Sequence, residues 1–223
     1  LEKQRAERDK LEAQKMKNFA GKCLVGSLVL ASSLACGSAF ASIVTYEKRS
    51  ITSNSFSDYK AGWAAQGSVI NSAQLIDFNG LLGGNATYSH LKVDFSIGGS
   101  VAGSSVLFEI APDAGYGGAI YLDNVLLTAS NTDLWWGNNW NNVSELLRGT
   151  LTNAGLGNHV LEAYWAEGCC NGGQGARFSV NGQGWQSLSV ANLDRLAVPE
   201  PGTFALLGVA LLGLGTTCRK RLK

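Results

Sequence analysis

The chain has 223 residues, a formal net charge of +1, 28 glycines, five cysteines and one methionine. Its charge is partitioned: residues 1–22 carry seven Lys/Arg and 198–223 carry four, whereas 42–197 hold seven basic and twelve acidic residues, a net of −5. An acidic middle excludes nucleic acid, which needs clustered Lys/Arg against phosphate, and leaves the basic residues at the two ends, where membrane topology uses them.

Met16 is preceded by a highly charged stretch, residues 1–15, which reads as an upstream mis-start. Lys17 and Lys22 then lead into the apolar run 23–31, a basic n-region followed by an h-region too short to span a bilayer. Ala39 and Ala41 stand at −3 and −1 of a signal peptidase site, so residues 16–41 form a signal peptide and the mature chain begins at Ser42. An uncleaved anchor is the alternative. Acylation at Cys36 is disfavoured by Ser33, which stands where an aliphatic residue is wanted.

Residues 42–197 read as one exterior domain. In 89–97, Leu91, Val93, Phe95 and Ile97 alternate with His90, Lys92, Asp94 and Ser96, and Val106, Phe108 and Ile110 repeat that pattern. Further strands are expected at 74–78, 119–128, 159–167 and 176–180, punctuated by Gly-, Asn- and Ser-rich turns, with one or two helical turns over 143–148. The spacing predicts an all-β fold, an antiparallel β-sandwich of jelly-roll type, flanked by the signal peptide and a C-terminal transmembrane sorting helix.

Two segments of this domain resemble adhesin sandwiches of the protective-antigen and flocculin kind, many of which bind sugars. They are Tyr121-Leu122-Asp123-Asn124-Val125-Leu126-Leu127 and the run from Gly157 to Glu167. The paired-aspartate calcium motif of the flocculins is missing, so neither calcium nor a sugar pocket is carried over.

Trp135, Trp136 and Trp140 stand among Asn138, Asn139, Asn141 and Asn142. Indole faces stack on sugar rings and amides bond hydroxyls, so these residues are candidate glycan contacts; the competing reading is an aromatic plug at the end of the sandwich. Cys169 and Cys170 are the cysteines of the exterior domain. In an oxidising compartment adjacent thiols pair, and the glycines around them allow the geometry that a vicinal disulfide requires. A structural staple, a ligand-contacting loop, and redox or metal chemistry stay open; two thiols alone make a poor zinc site. His90 and His159 both fall in expected strands and read as satisfied surface or edge residues. Gly-x-Ser-x-Gly, His-Glu-x-x-His, P-loop and Gly-x-Gly-x-x-Gly motifs are missing, so no catalytic residue, metal ligand or cofactor is expected.

At the carboxyl end, Val198, Pro199, Glu200 and Pro201 precede an apolar stretch from Thr203 to Cys218 and the basic residues Arg219, Lys220, Arg221 and Lys223. Sixteen residues of helix rise about 24 Å, and the basic cluster holds the end on the cytoplasmic side of the inner membrane. The two prolines keep the preceding peptide extended and open to a protease. Residues 198–223 resemble the PEP-CTERM sorting tail. That resemblance implies an exosortase, a membrane cysteine protease-transpeptidase, as processing partner, a Gram-negative host and an exopolysaccharide or biofilm matrix. The Cys-Cys pair is also similar to the Cys-Cys-x-Gly element of one PEP-CTERM subgroup. Taken together, the sequence predicts an exported, non-catalytic surface or matrix protein associated with exopolysaccharide. A glycoside hydrolase and a purely structural coat subunit are the alternatives.

Overall fold

The computed structural model describes residues 41–53, 56–198 and 208. The signal peptide with Ala39, residues 1–15, and the tail with Pro199, Glu200, Pro201 and Arg219–Lys223 lie outside the described residues. Among the described residues no helix is long and apolar enough to cross a membrane.

Thirteen strands follow in order: β1 (Ile43–Ser50), β2 (Val69–Leu75), β3 (Asn79–Leu82), β4 (Thr87–Ile97), β5 (Val106–Ala111), β6 (Asp113–Ala114), β7 (Gly118–Leu122), β8 (Val125–Ser130), β9 (Leu134–Trp135), β10 (Leu147–Leu151), β11 (Gly157–Glu167), β12 (Gly173–Val180) and β13 (Gln183–Ser187). Within this domain two short α-helices, α1 (Tyr59–Ala64) and α2 (Val190–Asp194), accompany the strands. One sheet has the order β2-β1-β4-β11-β7-β8; the other runs β10-β5-β12-β13, with β3 also on β12. All pairings are antiparallel.

The expected alternation builds the core. Leu91, Val93, Phe95 and Ile97 from one sheet meet Val106, Phe108, Ile110, Ala176 and Phe178 from the other in a single buried cluster. Phe95 and Phe108 meet edge-on at 5.6 Å, which ties the two sheets face to face.

Four local expectations change. The strand expected at 74–78 does not form: β2 ends at Leu75 and β3 begins at Asn79. The run 119–128 is two strands rather than one, because Asp123 and Asn124 both adopt positive φ (49° and 66°) and close a two-residue hairpin turn. Over 143–148 only a 3-10 turn forms (Val143–Glu145), and Leu147 already belongs to β10.

His90 is neither a surface nor an edge residue. Its strand is third of six, and α1 covers the outer face with Tyr59 and Trp63. Six residues are too few to show a helical period, so α1 left no signal in the sequence. Asp58 caps it by accepting from the Ala61 N–H at 3.0 Å.

His90 is 8% exposed and stacked on Tyr164 at 4.3 Å. Its ring nitrogens make no hydrogen bond; they lie 3.4 Å from Glu162 and 3.7 Å from Glu47. Lys60 and the Tyr164 hydroxyl both donate to Glu162 at 2.6 Å, so that carboxylate's charge is shared before it reaches the histidine. Burial pushes the His90 pKa down, and the two carboxylates oppose this only in part.

Below the unfolded-state pKa of about 6.5 the unfolded chain takes up a proton that the folded chain resists, so stability falls as pH drops through that value, by up to about 1.4 kcal/mol per unit. His90→Phe removes this slope. In urea titrations from pH 7.5 to 5.5, the wild type is expected to lose ground against the variant as acidity rises.

Candidate functional site

An open cleft of about 740 Å³ lies where the loop between β11 and β12 meets the two-stranded β6–β9 ribbon. Asp113 and Trp135 stand opposite each other in that ribbon, so their strand register sets one wall. The other wall is the loop Gly168–Cys169–Cys170–Asn171–Gly172, and Tyr116, Asp133 and Glu167 complete the lining.

Two buried carboxylates hold the loop at its ends. Glu167 accepts from the Gly115 N–H at 2.7 Å and from the Cys169 N–H at 2.8 Å, and Asp113 accepts from the Gly172 N–H at 2.6 Å. Burial raises the pKa of both above the usual carboxylate range. The backbone donors work against that rise, while neighbouring carboxylates, Asp133 for Asp113 and Asp113 for Glu167, add to it. The oxygens that face the loop are therefore occupied by backbone N–H groups. Asp133 is exposed, and the cleft contains three carboxylates and no lysine or arginine.

The glycines of the loop answer a packing demand. A Cβ on Gly172 would run into the Trp135 ring and come within 2.8 Å of Asp113 Cγ; one on Gly168 would meet the Tyr116 ring at 2.9 Å. Tyr116 in turn stacks on Phe56 at 4.5 Å and an interplanar angle of 7°. Cys170 adopts φ 74°, in the left-handed region that a non-glycine residue enters at some strain. Both cysteines are exposed free thiols, and the vicinal disulfide expected for them is not formed in this structure.

The candidate glycan residues separate. Trp135 is 47% exposed and faces the cleft. Trp136 is buried: its indole N–H donates to the Gly173 carbonyl at 2.6 Å, and the ring packs with Ala111 and Leu146 on the outer face of the second sheet. Trp140 is half-buried over Gly175, beneath the Arg177 guanidinium at 4.2 Å. Asn139 accepts from the Asn141 N–H at 3.0 Å and Asn138 sits at φ 56°, so both shape the turn; both are exposed and neither lines the cleft. Of the three, Trp136 and Trp140 pack on the outer face of the second sheet rather than plugging the end of the sandwich, and Trp135 faces the cleft.

Asp113, Tyr116, Asp133 and Glu167 were not singled out by the sequence. Glu167 reads there as the end of an alternating strand, and Tyr116 as part of a glycine-rich turn. The pairing of β6 with β9, two residues each, and the bonds of Gly115 and Tyr116 to the end of β11 bring them together.

Replacing Gly172 with Ala is expected to swing Trp135 off the cleft wall. Tryptophan emission of the variant should shift to longer wavelength, with thermal stability lowered by the clash (about 1–3 kcal/mol).

Over residues 197–221 the chain matches the model of the PEP-CTERM protein-sorting motif. No curated protein matches it in sequence. Among solved structures the middle region is similar to the PA14 domain of the MpAFP antifreeze protein, at 12% identity over 69% of this chain and 90% of that one, TM-score 0.47. It is similar also to the PA14 sugar-binding domain from an RTX adhesin, at 15% identity over 68% and 97%, TM-score 0.45. A third likeness is to the epithelial adhesin 6 A domain from Candida glabrata, at 8% identity over 63% and 80%, TM-score 0.39.

Proposed function

We propose that this chain is an exported, exosortase-processed surface protein whose sandwich presents the Trp135 cleft to a neutral glycan and performs no chemistry on it. The sorting motif at 197–221 marks the chain for an exosortase and for the cell surface. The signal peptide is cut before Ser42. The stretch from Thr203 to Cys218 holds the precursor in the inner membrane until the tail is processed near Pro199–Pro201.

The observation that carries the ligand reading is the exposed Trp135 indole, set opposite a loop that two carboxylates hold in place. An indole face offers a sugar ring a stacking surface, and carboxylates accept from its hydroxyls. With three carboxylates and no cation, the cleft repels uronates and suits a neutral sugar, such as a repeat unit of the exopolysaccharide around the cell. Outside the cell Cys169 and Cys170 are positioned to pair, which would stiffen that wall.

A second reading, glycoside hydrolysis, draws on the raised pKa of Asp113 and Glu167. Both are engaged by backbone N–H groups, which favours a positioning role.

Trp135→Ala is expected to weaken binding to neutral polysaccharide at least about tenfold, as the loss of a stacked aromatic does, with the fold intact. Trp140→Ala should leave affinity near wild type. Equal binding by wild type and Trp135→Ala would overturn the site. Reducing ends released from the polysaccharide, and lost in Glu167→Gln, would favour the hydrolase. Mass spectrometry of the native surface protein should find a chain that starts at Ser42 and lacks Arg219–Lys223; an intact basic end in wild-type cells would contradict processing.

A further inference from the structure

The backbone N–H of Ser42 donates to Asp194 Oδ1 at 2.7 Å, a contact spanning 152 positions of sequence. Ser42 is 4% exposed and Ala41 before it is exposed. The Ser42 hydroxyl is buried beside this contact and has no hydrogen-bond partner among the described residues. Asp194 ends α2, the last helix before the sorting motif.

The chain that follows it is clamped onto the β4–β5 turn. The Gly98 N–H donates to the Leu196 carbonyl at 2.6 Å, and the Ser100 hydroxyl to the Val198 carbonyl at 2.9 Å. A Cβ on Gly98 would lie 2.5 Å from the Ala197 carbonyl oxygen, so the two backbones touch directly. The start of β1 and the stem that leads into the sorting tail are therefore neighbours, joined through Asp194.

We infer that Asp194 is a receptor for the α-ammonium of the mature chain, so that removing the leader completes a latch on the stem carrying the sorting motif. This rests on the reading that the leader is cut before Ser42. Hydrolysis adds water across the Ala41–Ser42 peptide bond. The carboxylate departs with the leader, and the Ser42 nitrogen takes up a proton and becomes an ammonium. A neutral N–H···carboxylate contact becomes a charged one, roughly twice as strong, and the unpartnered Ser42 hydroxyl is an acceptor within the same residue for one of the new N–H groups.

The position of the cut matters. One residue upstream the ammonium would sit on exposed Ala41, about 3.8 Å further along the chain, where Asp194 would still receive only a peptide N–H. The other charged groups on the flanking elements are Arg195, next after Asp194, and the Lys92–Asp94 pair of β4, bonded to each other at 2.9 Å; Asp94 lies across from Ile43. None of these supplies an acceptor at Ser42.

The test compares the leader-free chain 42–223 in detergent with one that begins a single residue earlier, at Ala41, each with and without Asp194→Asn. The chain that starts at Ser42 should be favoured in its folding equilibrium by about tenfold over the Ala41 start, in the range of a hydrogen bond between charged groups. Asp194→Asn should erase that advantage while leaving the Ala41-start chain little changed. A paired ammonium has its pKa raised above the ordinary 7.7–8.0, so the advantage is complete below about pH 8 and disappears as the pH climbs through the folded-state value.

Titration of the α-amine by NMR provides a readout that needs no second variant: it should be raised in the Ser42-start chain and ordinary in the Ala41-start chain. Equal stability of the two starts, an advantage that survives Asp194→Asn, or an unshifted α-amine each overturns the latch. Amino-terminal sequencing of the native protein separately examines the cut itself; a residue other than Ser42 there would sink the processing reading and leave the measured pairing standing.

Discussion

The structure depends on one antiparallel pairing. β4 and β11 are each eleven residues long and run together without a bulge, from Gly157 opposite Ile97 to Glu167 opposite Thr87. They occupy the centre of the larger sheet, and all else in that sheet is added to their outer edges. Side chains alternate on a strand, so this single register sends Leu91, Val93, Phe95, Leu161, Ala163 and Trp165 into the core. The same register places His90 against Tyr164 and Glu162 on the opposite face, and delivers Glu167 to the rim of the cleft. A slip of one residue would exchange these sets.

Burial on both faces then decides the chemistry of the polar residues. The helix α1 lies over the outer side of the larger sheet and makes a second, smaller apolar cluster there. The Trp loop between β9 and β10 does the same for the smaller sheet, where Glu109, 1% exposed, is neutralised by Arg148 at 2.9 Å and Arg177 at 2.7 Å. Arg177 is in turn enclosed by the rings of Trp140 and Trp185. Many of the domain's aromatic rings are spent on these covers; Trp135, next to the buried Trp136, points instead into the cleft.

The first and last described segments of the domain meet for a related reason. A sandwich leaves its terminal strands at one end or the other, and here β1 starts beside the turn on which the chain after α2 comes to rest. The start of β1 and the stem that leads into the sorting motif thus share one corner of the domain. The cleft is built from a different set of loops, away from that corner.

Much of the architecture was legible in the sequence. Alternation gave away β4, β5 and β11, because each is long enough to count, and the sorting motif was readable since proline pair, apolar stretch and basic end come in order. The Asp123-Asn124 turn, two residues set within an apolar run, and the six-residue α1 were not, since their signals are shorter than the periods that would reveal them. The sequence by itself therefore determined the antiparallel β class, the core faces of β4 and β5 and the sorting motif, all of which depend on local order along the chain. Only the tertiary structure decided which tryptophan faces the cleft, that Asp113 and Glu167 hold the Cys169–Cys170 loop, and that Ser42 touches Asp194, because each joins residues whose separation in sequence says nothing about their distance in space.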